Sequence, residues 1–273
     1  MATMTVGPLV REWRTRRRRS QLDVALDVGM SARHLSFVET GRSRPSPELL
    51  LAIATKLDVP LRERNDLLLA AGYAPRYSHI DVDDPVLAAA RASIQRMLDA
   101  HEPYPGVVVD RVWNVVLANR SARALVAGLP AAVLGPPLNV HRLSLHPDGL
   151  ALRTLNFAQW AAYLLGQLRR SLALTGDPAL RDLLAEVSAY PTVAALPDGE
   201  PTDDPPLLVP WRIRLGDHEL ALFTTLTTFA APRDVTLDEL AVELFFPADE
   251  ATAAVLQAAN GPGRPGSVPR TSR

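Results

Sequence analysis

Residues 21–41, Gln21-Leu22-Asp23-Val24-Ala25-Leu26-Asp27-Val28-Gly29-Met30-Ser31-Ala32-Arg33-His34-Leu35-Ser36-Phe37-Val38-Glu39-Thr40-Gly41, read as two short helices joined by a tight turn. Ala25 is small enough to sit where two helices cross, and Gly29 can take the left-handed turn conformation that most side chains resist. Ser31 can accept a backbone N–H at the start of the second helix. Val24, Val28, Met30, Leu35 and Val38 fall where a helix–turn–helix keeps its apolar contacts, which leaves Arg33, His34 and Ser36 on the outer face. Such an arrangement presents a helix N-terminus to the major groove of DNA.

Further helices frame this pair. Residues 8–18 form a first helix with Leu9, Val10 and Trp13 on its apolar side, followed by Arg16-Arg17-Arg18-Arg19. That run suits either a solvated helix end, where arginine complements the dipole, or contact with phosphate. After the Arg42–Pro47 turn, Ser46 caps a fourth helix carrying Leu49, Leu50, Ile53 and Leu57 at helical spacing. A fifth helix runs from Leu61 to Ala71 and stops at Gly72.

The pattern Gln21, Ala25, Gly29, Ser31, Leu35, Val38, Glu39, Gly41, Pro45 resembles the XRE/Cro/C1 family of helix–turn–helix regulators, and the likeness covers residues 9 to about 73. The resemblance implies an all-α, five-helix, lambda-repressor-like DNA-binding domain and double-stranded operator DNA as partner. It implies groove-facing roles for Ser31, Ala32, Arg33 and Phe37, with His34 and Ser36 alongside and Gln21 reaching phosphate or a base edge. Arg17, Arg18 and Arg42 supply further DNA contacts in this reading. Arg33 is the foremost candidate for direct readout, because a guanidinium can bond guanine O6 and N7 together. Phe37 departs from the family's usual polar residue and either touches a thymine methyl or fills the domain's own core. Arg14 and Glu39 match a pair that forms an internal salt bridge in some members, so both are expected to be structural, like Ala25 and Gly29.

Composition agrees with a DNA-binding head on a body of another kind. The 273 residues carry a net charge of −1, yet residues 1–76 sum to +5 and residues 77–273 to −6. The chain is 47% hydrophobic and has no cysteine, which excludes disulfides, zinc–thiolate sites and thiol nucleophiles and fits a reducing cytoplasm. The first ten residues lack the charged n-region of a signal peptide, and no uninterrupted apolar run approaches the ~20 residues of a membrane span.

Beyond residue 75 the reading is a linker and connecting helix over 76–102, a sensor domain over 103–258 and a disordered tail over 259–273. Val107–Asn119 reads as a hairpin turning at Asp110-Arg111, followed by a helix over 119–128 and a Pro/Gly loop over 129–137. Helices follow at 140–145, 155–174 and 177–188, then a proline-rich loop over 190–206. Strands are expected at 207–215, 219–229 and 240–246, with a closing helix from Asp249. The segments Val108-x-Asp110-Arg111-x-Trp113-x-Val115-x-x-x-Asn119, Thr175-Gly176-Asp177-Pro178 and Phe245-Phe246-Pro247-Ala248-Asp249 resemble the MmyB-like ligand-binding domain. That likeness implies a PAS-like α+β fold with extra helices and a small apolar ligand, fatty-acid-like molecules being the favoured class. Trp113, Trp160, Tyr163 and Phe223 are the aromatic candidates for lining its cavity, against the alternative that each packs in the core. A protein-interaction or dimerisation module without a ligand is the rival reading, and a homodimer is expected because one recognition helix reads only a few base pairs.

Catalysis finds no support in the motifs. His141 and His146 are five apart, off the one-face spacing that two helical metal ligands need. Nucleophile elbows and phosphate-binding or dinucleotide-binding glycine loops are absent, and Asp81, Asp83, Asp84, Asp203 and Asp204 lie in proline-bearing loops. No catalytic residue, metal site or cofactor is assigned.

Overall fold

The computed structural model describes residues 5–81, 84–196, 208–230 and 232–260, apart from the side chain of Asn260. The expected disordered tail and most of the proline-rich loop lie outside the described residues. The chain divides into two compact units: residues 1–88 with 173–176 and 229–239, and the remainder.

In the first unit, α1 (Val6–Arg16), α2 (Gln21–Asp27), α3 (Ala32–Glu39), α4 (Pro47–Lys56) and α5 (Leu61–Ala70) surround a core of Val10, Trp13, Val24, Ala25, Leu35, Leu50, Ile53, Leu57 and Leu68. Local chemistry sets the helix starts. Ser20 and Asp23 form a reciprocal capping box on α2, and Ser31 and Ser46 cap α3 and α4. Gly29 has φ +72° in the turn between α2 and α3, where a β-carbon would be strained. At Gly7 a Cβ would lie 2.5 Å from the Glu39 carbonyl oxygen, so α1 can approach the end of α3 this closely only with glycine there.

This unit extends past the expected boundary at residue 75. Asn65 of α5 holds the following segment, donating to Tyr77 O at 2.8 Å and accepting from the N–H groups of Arg76 and Tyr77 at 2.9 and 3.0 Å. Helix α13 (Val235–Glu239) belongs to it too: Arg62 pairs with Glu239 at 2.6 Å and Leu61 N–H donates to Asp238 at 3.0 Å. Sequence periodicity could not show this, because the segment is short and its partners are more than 150 residues away.

The second unit is an antiparallel sheet with helices. Its elements are α6 (Ala88–Ala100), β1 (Gly106–Val109), β2 (Val115–Ala118), α7 (Arg120–Leu125), α8 (Ala131–Leu134), α9 (Val140–Leu145), α10 (Phe157–Thr175), α11 (Pro178–Ser188), α12 (Pro191–Ala194), β3 (Trp211–Leu215), β4 (His218–Thr228), β5 (Ala241–Pro247) and α14 (Glu250–Asn260). The five strands lie in the order β2-β1-β5-β4-β3, and β5 pairs with β1 through Val107–Glu243 and with β4 through Phe223–Phe246. One face packs on α9, α10 and α11 in a core containing Val109, Leu164, Leu168, Leu183, Ile213 and Leu222. No helix among the described residues is long and apolar enough to cross a membrane.

Two expectations are corrected here. The hairpin turn is not Asp110-Arg111 alone but spans 110–114, because the Asp110 carboxylate accepts from the N–H groups of Val112 and Asn114 at 2.9 and 2.8 Å. Short helices α8 and α12 occupy parts of the expected Pro/Gly and proline-rich loops, with Pro191 at the first position of α12.

Candidate nucleic-acid interface and interior cavity

Helix α3 displays its N-terminus with Ser31 Oγ accepting His34 N–H at 3.2 Å. Ser31, Arg33 and His34 are exposed, and Ala32, Ser36 and Phe37 are half-buried. Phe37 neither enters the core nor stands free. The Arg33 guanidinium lies 5.4 Å and that of Arg42 5.9 Å from its ring centroid, so the ring is a platform that positions two cations. His34 adds Nε2 at 3.4 Å from Ser43 Oγ.

Other sequence candidates are tied inward. Gln21 donates to Glu39 Oε2 at 2.8 Å instead of projecting outward. Arg17 donates to the carbonyls of Leu57 and Asp58, both at 2.9 Å, and so caps the end of α4 where orphan carbonyls need donors. Of the arginine run, Arg18 is exposed, while Arg19 pairs with Asp27 at 2.8 Å. Beneath this face Arg14 grips Glu39 through two bonds of 2.6 and 3.0 Å and reaches Arg19 O at 2.8 Å. The bond to Glu39 raises the Arg14 pKa, so the guanidinium stays charged although partly buried.

The motif residues of the second unit build its frame. Arg111 pairs with Asp177 at 2.5 Å, joining two segments distant in sequence, and Asp177 also caps α11. Asn119, fully buried, accepts from Gly106 and Ala122 N–H at 3.1 and 2.9 Å and donates to Tyr104 O at 2.8 Å. Asp249 accepts from Thr252 N–H at 2.7 Å at the start of α14, which holds its carboxyl below the usual range.

Within that frame lies a cavity of about 80 Å3. Its walls come from β1, β2, β3, β5, α7, α9 and α10 and are almost wholly apolar. Trp160 and Trp211 stack with centroids 5.7 Å apart, and Phe245 leans on Trp211 at 5.8 Å. The polar side chains in the wall are Ser144, Arg123 at the exposed end, and Glu243.

Of the four aromatic candidates, Trp160 lines the cavity. Tyr163 stacks behind it at 4.9 Å, one helical turn along. Trp113 has φ 68° in the hairpin turn and packs edge-on to His141 at 4.9 Å, which makes it a core residue. Phe223 is on the opposite sheet face: neighbouring strand side chains alternate, Leu222 takes the core side, and Phe223 stacks on Phe246 at 5.3 Å instead.

Glu243 is the site residue that sequence reasoning missed. It is 2% exposed, accepts from Thr224 Oγ1 at 2.8 Å through Oε1, and among the described residues receives no donor at Oε2. Burial pushes its carboxyl up to about 7, against the Thr224 bond that pulls it down. The available signal was its place in Ala241-Val242-Glu243-Leu244-Phe245, where period two puts it beside inward-facing Phe245. The Trp160 indole N–H is also buried and, among the described residues, has no partner.

A capped recognition helix in one unit and a wrapped apolar cavity in the other define a regulator that reads DNA and binds a small molecule. The sequence matches the family described as MmyB-like transcription regulator ligand binding domain over residues 90–259, more than half of the chain, and the helix-turn-helix family over residues 10–64. The chain therefore belongs to the MmyB-like transcription regulators, with an XRE-type helix–turn–helix head. No curated protein matches it.

Proposed function

We propose that the protein binds a two-fold operator as a homodimer, reads it through α3, and changes its DNA affinity when an apolar, fatty-acid-like molecule enters the cavity. The observation that carries the ligand reading is the cavity wall, whose aliphatic and indole surfaces suit a hydrocarbon chain, with Arg123 at the exposed end to meet a polar group. The same wall favours a sensor over an interaction module, which would need an exposed apolar face instead. The mechanism is a population shift, since a ligand can alter DNA affinity only by binding the two states of the protein unequally. DNA affinity measured across a panel of aliphatic acids and alcohols tests the coupling: a member that binds the protein should change affinity for operator DNA by at least about fivefold. Unchanged affinity with every bound member refutes it.

Arg33 carries the specificity proposal. Arg33→Ala should reduce the preference for operator over random DNA by about tenfold or more, while binding to random DNA keeps its salt dependence. Equal losses on both DNAs would make Arg33 a phosphate contact.

A further inference from the structure

We propose that the cavity is built for an aliphatic molecule carrying a hydroxyl group, with Glu243 as its anchor. The inference rests on the cavity being the ligand site and concerns the polar group that the ligand brings to it.

Among the described residues, two buried polar atoms on the cavity's lining side chains lack partners: Glu243 Oε2, which accepts once the carboxyl is ionised, and Trp160 Nε1, which donates. A buried polar atom left unpaired costs stability, and such atoms in a native structure call for a partner. Among the described residues Glu243 Oε2 finds none. Thr224 on β4 takes its other oxygen, and the neighbouring titratable group on α10, Tyr163, is itself held neutral by burial, with Glu243 adding to that effect. The backbone positions of β5 are consumed by pairing with β1 and β4, so the strand fixes this carboxyl in the wall.

The two unmet atoms ask for different things. A ligand carboxylate only accepts, so it can satisfy Trp160 but sets its oxygens against those of Glu243. An ammonium only donates, so it can satisfy Glu243 but not the indole. A hydroxyl both donates and accepts, and matches the chemistry of both atoms. An ester or a plain hydrocarbon donates nothing and leaves Oε2 unmet.

The test is calorimetric titration at about pH 8.5, where Glu243 is ionised, of the full chain, delipidated, with decanol, decylamine, decanoate and methyl decanoate, repeated on Glu243→Leu and on the near-isosteric Glu243→Gln. Decanol should bind about tenfold or more tightly than methyl decanoate to the wild type, the size expected of a hydrogen bond to a carboxyl group in a dry site. That preference should shrink to within about twofold in Glu243→Leu and weaken in Glu243→Gln, whose one amide oxygen pairs with Thr224 and whose NH2 donates to alcohol and ester alike. Equal affinity for alcohol and ester in the wild type, or an unchanged preference in Glu243→Leu, overturns the proposal while leaving the cavity as the ligand site. Tightest binding of decanoate or decylamine overturns it in favour of an acid or an amine. Failure of all four to bind removes the cavity reading and this inference with it.

Discussion

Glu243→Gln should make the sensor unit more stable than the wild type by roughly 3 kcal/mol at pH 8 and leave it unchanged near pH 4.5. The folded carboxyl titrates at about 7 and the unfolded one near 4.5. Between those values the folded state holds more protons than the unfolded state, so wild-type stability from this group falls as pH rises and levels off above 7. His141 in the same unit does the reverse. Fully buried, it has its pKa lowered to about 3 by burial, against weaker opposing effects of the Leu164 backbone and Gln167. It charges in the unfolded chain from pH 6.5 downward but not in the folded one, so stability is lost as pH falls. His141→Leu should therefore show a relative gain that grows below pH 6.5 and reaches several kcal/mol by pH 3. In the wild type the two slopes oppose each other between pH 4.5 and 6.5. Urea unfolding of the three proteins at several pH values checks this, and parallel stability curves for variant and wild type would refute it.

Arg14→Ala should cost the helical unit about 3 kcal/mol or more, a fall on the order of 10 °C or more in melting temperature for a domain of this size. The Glu39 side chain is only 2% exposed, and loss of its two bonds to Arg14 leaves a buried carboxylate with Gln21 as its remaining hydrogen-bond partner. The double variant Arg14→Met, Glu39→Leu should recover most of that loss, because it removes both charges instead of stranding one. A single-variant cost below about 1 kcal/mol would show that the pair is not structural. The same geometry limits what Gln21 can do at DNA, since its amide is already committed to Glu39.

The helical unit was legible because each of its decisions is local. Ser31 and Ser46 cap, Gly29 turns, and apolar residues recur at helical spacing, all within a few positions of one another. The sensor's elements were legible for the same reason, β3 (Trp211–Leu215) lying within the strand expected over 207–215. The cavity wall was not. Choosing Phe245 over Phe223 required knowing which face of β4 and of β5 turns inward, and that follows from register against strands more than 100 residues away in the case of β1. Glu243 escaped notice because one charge in an apolar strand ordinarily marks the solvent side. The inward ties of Arg17 to Leu57 and Asp58 likewise depend on where a distant helix ends.

Strand β5 sits at the centre of the sheet although it is the last strand made, and it contributes both Glu243 and Phe245 to the cavity. During synthesis the hairpins β1–β2 and β3–β4 can each form early, but among the described strands only Ala241–Pro247 joins them into one sheet. Until β5 is made, the chain therefore lacks the part of the cavity wall that carries Glu243 and Phe245. A frameshift between residues 90 and 240 should abolish ligand response, while leaving the DNA-reading helices made and their own core residues present.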